Sequence, residues 1–384
     1  MPTDHDAQDG VEKEEPPSLD DSSTEAAGCP PAEDKAIPPP DVGFRAYLQI
    51  LGGFFLMFNT WGIVLTYGTF QSYYESSPAS PLHASPSTTA WIGSLQAFLL
   101  LFGGGLCGRL FDAGYLRSLI CCGTSLMVFG LMMASLARTY WHALLSQGLC
   151  VGLGMGCLLV PSVGTASTWF VRRRGLAVGI VTSGSAVGGV VLPIMCQRLL
   201  LRVGFGWTLR VLGFVALGTL SVSAIVMKQR LPPRRRGEVF AFRALGEAPF
   251  ALYCAGMLVS MLGFYVFLQF VQSWAETTQV SSFSPIYYLP IVNAASVFGR
   301  TLPNLLSDHV GPLNVQIPCG LVSAVLIYGW LGVHSLGSLL TIAVLYGFFS
   351  GGLLALPPAS VASLTPDLSH FGARMGKDYI RVET

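Results

Sequence analysis

Arg300 is the residue in this sequence that most needs a chemical explanation. It lies inside an apolar run, residues 291–311, which also carries Asn293 and ends near Asp308. If this run crosses a lipid bilayer, a central arginine costs about 2.5–3.5 kcal/mol, so such residues usually face a protein interior or a water-filled path. Contact with an anionic solute is the chemistry that this placement predicts, with Asn293 as a second polar candidate. The alternative is an arginine that reaches to the headgroups.

A second group of charges marks the ends of two apolar runs. Arg109, Asp112 and Arg117 fall within one short turn, and Asp308 ends its own run in the corresponding place. Partial desolvation at a membrane interface strengthens hydrogen bonds between such charges. We interpret these four residues as gating candidates, a latch that holds one state and releases it in another. Charge that only sets the topology of the chain is the alternative.

A third set of residues is aromatic and polar. Tyr67, Phe70 and Tyr74 share one helical face, and Asn59 and Trp61 precede them in the same segment. Two hydroxyls and an amide in an otherwise apolar helix can orient a polar solute, so all five are candidates for substrate binding. Packing between helices, or an aromatic belt at the interface, is the alternative interpretation.

The composition indicates which elements must position these residues. Of the 384 residues, 52% are apolar and 11% are charged, and the mean hydropathy is +0.56. A soluble domain carries about 25% charged residues, so we predict an all-α integral membrane protein. A helix needs about 20 apolar residues to cross the hydrocarbon core. Ten segments meet this need, at residues 48–74, 90–111, 115–136, 141–164, 175–199, 207–227, 249–271, 285–306, 313–333 and 337–360.

Glycines at close spacing predict tight packing of the fifth helix. Gly175, Gly179, Gly184 and Gly188 follow one another at intervals of four or five residues and lead to Pro193. Small residues at such intervals let helix backbones approach in lipid. We predict that this helix packs along one glycine stripe.

Other chemistries find little support in the sequence. The segment Gly103–Gly108 reads G-x-G-x-x-G, but it lies inside an apolar span instead of following a strand, so helix contact is favoured over dinucleotide binding. The nine cysteines include no C-x-x-C pair, and the six histidines suggest no catalytic or zinc site. We expect no enzyme, no catalytic residue and no bound metal or cofactor.

Charge also divides the chain into regions. Residues 1–44 hold twelve of the 21 acidic residues and almost no aromatic ones, which predicts a disordered tail. We assign residues 45–227 to a six-helix bundle, 228–248 to a basic cytoplasmic linker and 249–384 to an incomplete second bundle of four helices and a stub. Lys and Arg concentrate in alternate short loops, which places the N-terminus in the cytoplasm.

The two bundles share a repeat at an offset of 196 residues. The matched residues are Phe102, Gly103 and Asp112 with Phe298, Gly299 and Asp308, and Gly156 and Pro161 with Gly352 and Pro357. Residues 371–376 then correspond to the start of the fifth helix, after which the sequence becomes polar and ends at Thr384. The second half therefore lacks partners for helices 5 and 6. We expect a truncated or mis-spliced product, with a natural ten-helix protein as the alternative.

Three segments resemble a known family. They are residues 59–74, residues 168–179 with Trp-Phe-x-Arg-Arg-Arg-Gly, and residues 293–300 with Asn-Ala-Ala-Ser-x-Phe-Gly-Arg. From about residue 44 to 376 the chain resembles the monocarboxylate-transporter-like branch of the major facilitator superfamily, in its fungal form. The resemblance implies two six-helix bundles related by a parallel repeat. About ten of the usual twelve helices are present here. It further implies alternating access, no bound cofactor, and organic acids, riboflavin-like compounds or secondary metabolites as cargo.

One departure from that branch bears on mechanism. The resemblance implies a lysine in helix 1 and an aspartate four residues before the helix 8 arginine in proton-coupled animal members. Here helix 1 has no lysine, and Ser296 stands four residues before Arg300. We therefore expect a secondary active transporter for a small organic anion or amphipathic metabolite. Efflux of a fungal secondary metabolite is one form of this expectation. Proton-coupled uptake of a monocarboxylate or riboflavin-like nutrient, and a non-transporting sensor or truncated pseudo-transporter, are the alternatives.

The partners and the location follow from this interpretation. We expect a small-molecule substrate, a surrounding lipid bilayer and no nucleic acid. The protein is expected to be a multi-pass monomer in the plasma membrane.

Overall fold

The computed structural model describes residues 43–76, 85–170, 172–230, 246–278 and 287–364. The predictions of a disordered acidic tail and of a second bundle that stops early fall on residues outside these ranges. The same holds for most of the basic linker.

Throughout the described ranges the regular elements are helices. They are α1 (Phe44–Ser76), α2 (Pro86–Asp112), α3 (Leu116–Ala134), α4 (Tyr140–Trp169, with a π-helical turn at Leu144–Cys150), α5 and α6 (the two arms of Arg174–Val226, residues 174–203 and 205–226), α7 (Ala248–Thr278), α8 (Tyr288–Val310), α9 (Pro312–Gly329, extended by a 3₁₀ turn at Trp330–Gly332), α10 (Leu336–Ala355) and the short α11 (Pro357–Ser363).

Eight helices in these ranges are long and apolar enough to cross a membrane. Arg174–Val226 counts once among them, although its 53 residues change direction at Gly204, whose φ of 76° and ψ of 177° suit glycine. Tyr288–Val310 is not among the eight. The prediction of an all-α, multi-pass membrane fold is confirmed, and the count of about ten spans is confirmed only in part.

The 196-residue repeat is visible in the way the backbones meet. A Cβ added at Gly156 of α4 would lie 2.9 Å from the Cα of Gly103 on α2. A Cβ added at Gly352 of α10 would lie 3.3 Å from the carbonyl oxygen of Gly299 on α8. Matched glycine pairs therefore bring together matched helices in the two halves. Gly103, in the G-x-G-x-x-G segment, serves helix contact, as predicted.

The predicted single glycine stripe of α5 separates into two faces. Gly175 and Gly179 pack against α8, whereas added Cβ atoms at Gly184 and Gly188 would meet carbonyl oxygens of α1. A helix turns about 100° per residue, so the nine residues from Gly175 to Gly184 amount to two and a half turns. Helix α5 thus packs on α1 with one side and on α8 with the other, and Pro193 lies further along the same arm.

Buried apolar side chains form separate clusters in the two halves. One cluster draws on residues 46–227 and another on residues 257–353. The contact between α5 and α8 joins the two, and it is rich in polar side chains.

Candidate functional site at the contact between α5 and α8

Helix α8 meets α5 along a face of small and polar residues, which we call the seam. Every third or fourth residue of a helix lies on the same face, so residues at this spacing form one line. The seam residues are Asn293, Ser296, Arg300, Asn304 and Asp308 of α8, and Gly175, Gly179, Thr182, Ser185 and Gly189 of α5.

Arg300 lies half-buried at the middle of the seam. Its Nε donates to Ser296 Oγ at 3.0 Å, one turn earlier on the same helix. Its Nη1 donates to two acceptors on α5, the Thr182 carbonyl oxygen at 3.1 Å and Ser185 Oγ at 2.5 Å. The guanidinium therefore faces the protein interior and bonds the two halves together, which argues against an arginine that only reaches to the headgroups.

Asp308 lies at one end of the seam, against the first turn of α5. Its carboxylate oxygens accept from the backbone N–H groups of Gly175 at 2.6 Å and Leu176 at 3.0 Å. The first N–H groups of a helix have no partner within that helix, and the helix dipole favours a negative charge beside them. Arg174 adds electrostatic attraction to the same carboxylate. Asp308 thus caps a helix that belongs to the other half.

The backbones can approach this closely because α5 presents glycine. A Cβ added at Gly179 would lie 2.5 Å from the Arg300 carbonyl oxygen, and one at Gly175 would lie 2.7 Å from Asp308 Oδ1. Asn304 fills the space between them and donates from Nδ2 to the Arg300 carbonyl at 2.7 Å. Its Oδ1 is buried and has no hydrogen-bond partner among the residues that the structure describes.

The structure places the predicted aromatic stripe inside the first half, away from these seam contacts. Tyr67, Phe70 and Tyr74 are all buried. The Tyr67 hydroxyl donates to the Thr89 carbonyl of α2, and the Tyr74 hydroxyl donates to Gln147 Oε1 of α4 at 2.8 Å. Phe70 packs edge-on against Phe205, with ring centroids 6.4 Å apart. Their visible contacts are between helices, and their part in substrate binding stays a prediction.

The remaining polar candidates also have structural partners. Asn59 donates to the Phe55 carbonyl and to Thr219 Oγ1, both at 2.8 Å, which ties α1 to α6. Trp61 packs half-buried on the core of the first half. Asn293 lies in the seam, where its Nδ2 donates to the Leu289 carbonyl at 3.1 Å. A Cβ added at Gly189 of α5 would lie 3.0 Å from Asn293 Cγ.

The four gating candidates occupy two places. Asp308 is in the seam, whereas Arg109 and Asp112 lie in the last turn of α2 and Arg117 lies in the first turn of α3. Arg117 lines a cavity of about 350 Å³ there, together with Lys228 and other residues of the turn. The latch interpretation now concerns Asp308 most directly, because its carboxylate bonds the backbone of a helix in the other half.

Sequence reasoning missed Thr182, Ser185, Gly189 and Asn304. A signal for Asn304 was present, since it lies one turn after Arg300 on the polar face of α8. For the α5 residues no such signal exists, because Thr182 and Ser185 are 118 and 115 positions away from Arg300 in sequence.

Comparison with known proteins places this architecture in a family. The sequence model of the Major Facilitator Superfamily matches residues 50–376. The chain belongs to the Major Facilitator Superfamily. Among relatives, the MFS-type transporter dbaD of Emericella nidulans is 43% identical over 338 residues, 88% of this chain and 76% of its own length. The Fujikurins efflux protein of Gibberella fujikuroi is 36% identical over 97% of this chain and 80% of its own length.

A solved structure has a similar fold. The crystal structure of a mutant of the peptide transporter POT in complex with sulfate aligns with 90% of this chain and 89% of that one, at a TM-score of 0.61 and 14% identity. Membership of the Major Facilitator Superfamily confirms that part of the sequence prediction. The monocarboxylate-transporter-like branch stays a prediction.

Proposed function

We propose that this Major Facilitator protein is a secondary active transporter that exports a small organic anion or amphipathic metabolite by alternating access. The observation that carries the proposal is the Arg300 guanidinium, held in a polar seam between the two halves. Family membership and the names of the relatives support a membrane transporter.

The chemistry of Arg300 supports an anionic substrate. A guanidinium presents a planar set of donors that matches a carboxylate, and such charge-assisted pairs are about twice as strong as neutral hydrogen bonds. The Arg300 Nη1 group donates to a serine hydroxyl and a peptide carbonyl of α5. Both of these acceptors are neutral, so a carboxylate can compete with them.

The direction of transport is inferred from two supports. A relative that matches nearly the whole chain carries the name Fujikurins efflux protein. Beside Arg300, Ser296 accepts the Nε hydrogen bond at the position where the resemblance to proton-coupled transporters implies an aspartate. A serine hydroxyl does not titrate at physiological pH, so the proton-coupled uptake alternative loses its carrier at this position.

Alternating access requires that the seam open at one end. If the N-terminus is cytoplasmic, as the loop charges predict, the Asp308 end of the seam is the inner end. We propose that Asp308 holds this end closed through its bonds to Gly175 and Leu176, and that an inward-open state breaks them.

Metabolite profiles of a gene-deletion strain test the proposed function. Complementation with the parent sequence should lower the intracellular level of one or more organic acids and raise their level in the medium. Arg300→Ala should abolish this export, and Arg300→Lys should restore part of it because one charge remains. Arg202→Ala is the matched control, since Arg202 is exposed on α5, and it should export normally. Normal export by Arg300→Ala at equal membrane abundance would refute the site assignment.

A further inference from the structure

We propose that Ser185 couples anion binding to the opening of the seam. Its hydroxyl is a side-chain acceptor for Arg300 on the opposite half, and an anionic group that takes the guanidinium thereby releases α8 from α5. This inference rests on the proposed function, because it takes Arg300 as the anion contact. It adds a positioning residue and a reason why the charge of the substrate matters for the conformational change.

Hydrogen bonds connect the Ser185 hydroxyl, the Thr182 carbonyl and Arg300 Nη1 to one another. Its hydroxyl donates to the Thr182 carbonyl at 2.7 Å and accepts from Arg300 Nη1 at 2.5 Å. Nη1 also donates to the same Thr182 carbonyl at 3.1 Å. Ser185 is 1% exposed, so water does not compete with these bonds, and polar bonds are stronger in such surroundings.

The donor inventory of arginine decides what an anion must displace. A guanidinium has one hydrogen on Nε and two on each terminal nitrogen. Here Ser296 accepts from Nε, and Ser185 and the Thr182 carbonyl both accept from Nη1. A carboxylate that binds the end of the guanidinium through both terminal nitrogens therefore competes with these two α5 acceptors for Nη1. An uncharged solute gains too little to do so, because its bonds to Arg300 are no stronger than those that it replaces.

The two serines beside Arg300 differ in the consequence of losing them. Ser296 is on α8 itself, so its bond orients the side chain without joining the halves. Ser185 is on α5, so its bond is a contact between the halves. Removing either hydroxyl deletes one acceptor of the same guanidinium, but only the loss of Ser185 should loosen the seam.

Hydrogen exchange followed by mass spectrometry measures this loosening directly. Four proteins are studied in lipid nanodiscs: the parent chain, Ser185→Ala, Ser185→Thr and Ser296→Ala. Each is measured without ligand, with benzoate as an amphipathic organic anion, and with benzamide as the uncharged counterpart of benzoate. The readout is the exchange of peptides from residues 175–189 and 293–308, and peptides from residues 96–108 report on the integrity of the fold.

We expect Ser185→Ala to raise exchange in both seam peptides about tenfold, the loss of a hydrogen bond to a charged group, with residues 96–108 unchanged. Ser185→Thr, which keeps the hydroxyl, and Ser296→Ala should exchange like the parent. Benzoate should raise seam exchange in the parent and add little in Ser185→Ala, and benzamide should have no effect. Equal exchange of Ser185→Ala and Ser296→Ala would overturn the coupling role. A loosened Ser185→Ala together with no response of the parent to benzoate would instead refute the organic anion in the proposed function, and with it the release step.

Discussion

Replacing Asp308 should shift the protein toward the state in which the α5–α8 seam is open at this end. Asp308→Asn keeps one carbonyl oxygen but removes the charge and one acceptor, whereas Asp308→Ala removes both acceptors. The backbone N–H groups of Gly175 and Leu176 then lose charge-assisted partners at 2.6 and 3.0 Å. The asparagine side chain has nearly the same volume, so its effect reports on the lost charge and the lost acceptor and not on packing.

The size of the effect follows from the two bonds and the helix terminus. A hydrogen bond to a charged group contributes about 1.5–3 kcal/mol and a neutral one about 0.5–1.5 kcal/mol. The charge beside a helix N-terminus contributes roughly another 0.3–1 kcal/mol. The asparagine variant loses one charged bond, weakens the other and loses the helix-terminus contribution, so it should destabilise the closed seam by about 3–5 kcal/mol. Since about 1.4 kcal/mol is a factor of ten, the ratio of open to closed molecules should rise roughly 100-fold to 4,000-fold.

Thiol labelling measures this ratio. Ser307 is 5% exposed and its hydroxyl donates within α8 to the Asn304 carbonyl, so Ser307→Cys in a background without native cysteines reports on seam opening. The labelling rate of this cysteine by a maleimide should rise by the same factor in Asp308→Asn and further in Asp308→Ala. Glu75→Gln is the control, because the Glu75 carboxylate accepts from Gln71 and Thr89 inside the first half, and it should label at the parent rate. Labelling of Asp308→Asn at the parent rate would show that the carboxylate does not hold the seam.

Three further variants separate seam contacts from core contacts. Gly179→Ala places a Cβ 2.5 Å from a carbonyl oxygen of α8, so it should speed the same labelling while the thermal midpoint in detergent stays near that of the parent. Gly184→Ala faces α1 inside the first half and should instead lower the thermal midpoint, with a loss of about 1–3 kcal/mol in folding stability. Its control is Gly218→Ala, whose Cβ meets nothing within 4 Å and which should leave the thermal midpoint unchanged. Tyr74→Phe leaves Gln147 Oε1 without this donor and should lower the folding stability by about 1–3 kcal/mol. Unchanged export per folded molecule would assign Tyr74 to the core. Altered substrate selectivity at normal stability would assign it to the binding path.

The positions of the helices could be predicted closely, because crossing a hydrocarbon core needs a long apolar segment. Residues 90–111 were expected to be helical and Pro86–Asp112 is observed, and residues 313–333 compare with Pro312–Gly329 and its 3₁₀ extension. The observed helices often begin earlier than the apolar run, as α2 does at Pro86 after its cap at Ser85. Hydropathy does not register such polar first turns.

The faces of the helices were predicted less well. The sequence gives the spacing of the glycines. However, the four-residue and five-residue intervals between Gly175 and Gly184 add up to two and a half helical turns, so the two glycines lie on opposite sides of α5. Likewise, the three aromatic residues of α1 share a face as expected, yet only their contacts show that this face meets α2, α4 and Phe205. Spacing defines a face, and tertiary structure defines what it meets.

The sequence by itself determined that this is a helical membrane protein with a repeated plan, because composition and periodicity follow from the lipid environment. It also marked Arg300 and Asp308, since charges inside apolar runs are rare for energetic reasons. Only the tertiary structure decided what these charges bind. Their partners on α5 include a serine hydroxyl, a carbonyl and two backbone N–H groups, more than 100 residues away in sequence. Nearly every residue has a backbone carbonyl and N–H group, so the residue type does not indicate which of these groups will bind a charge.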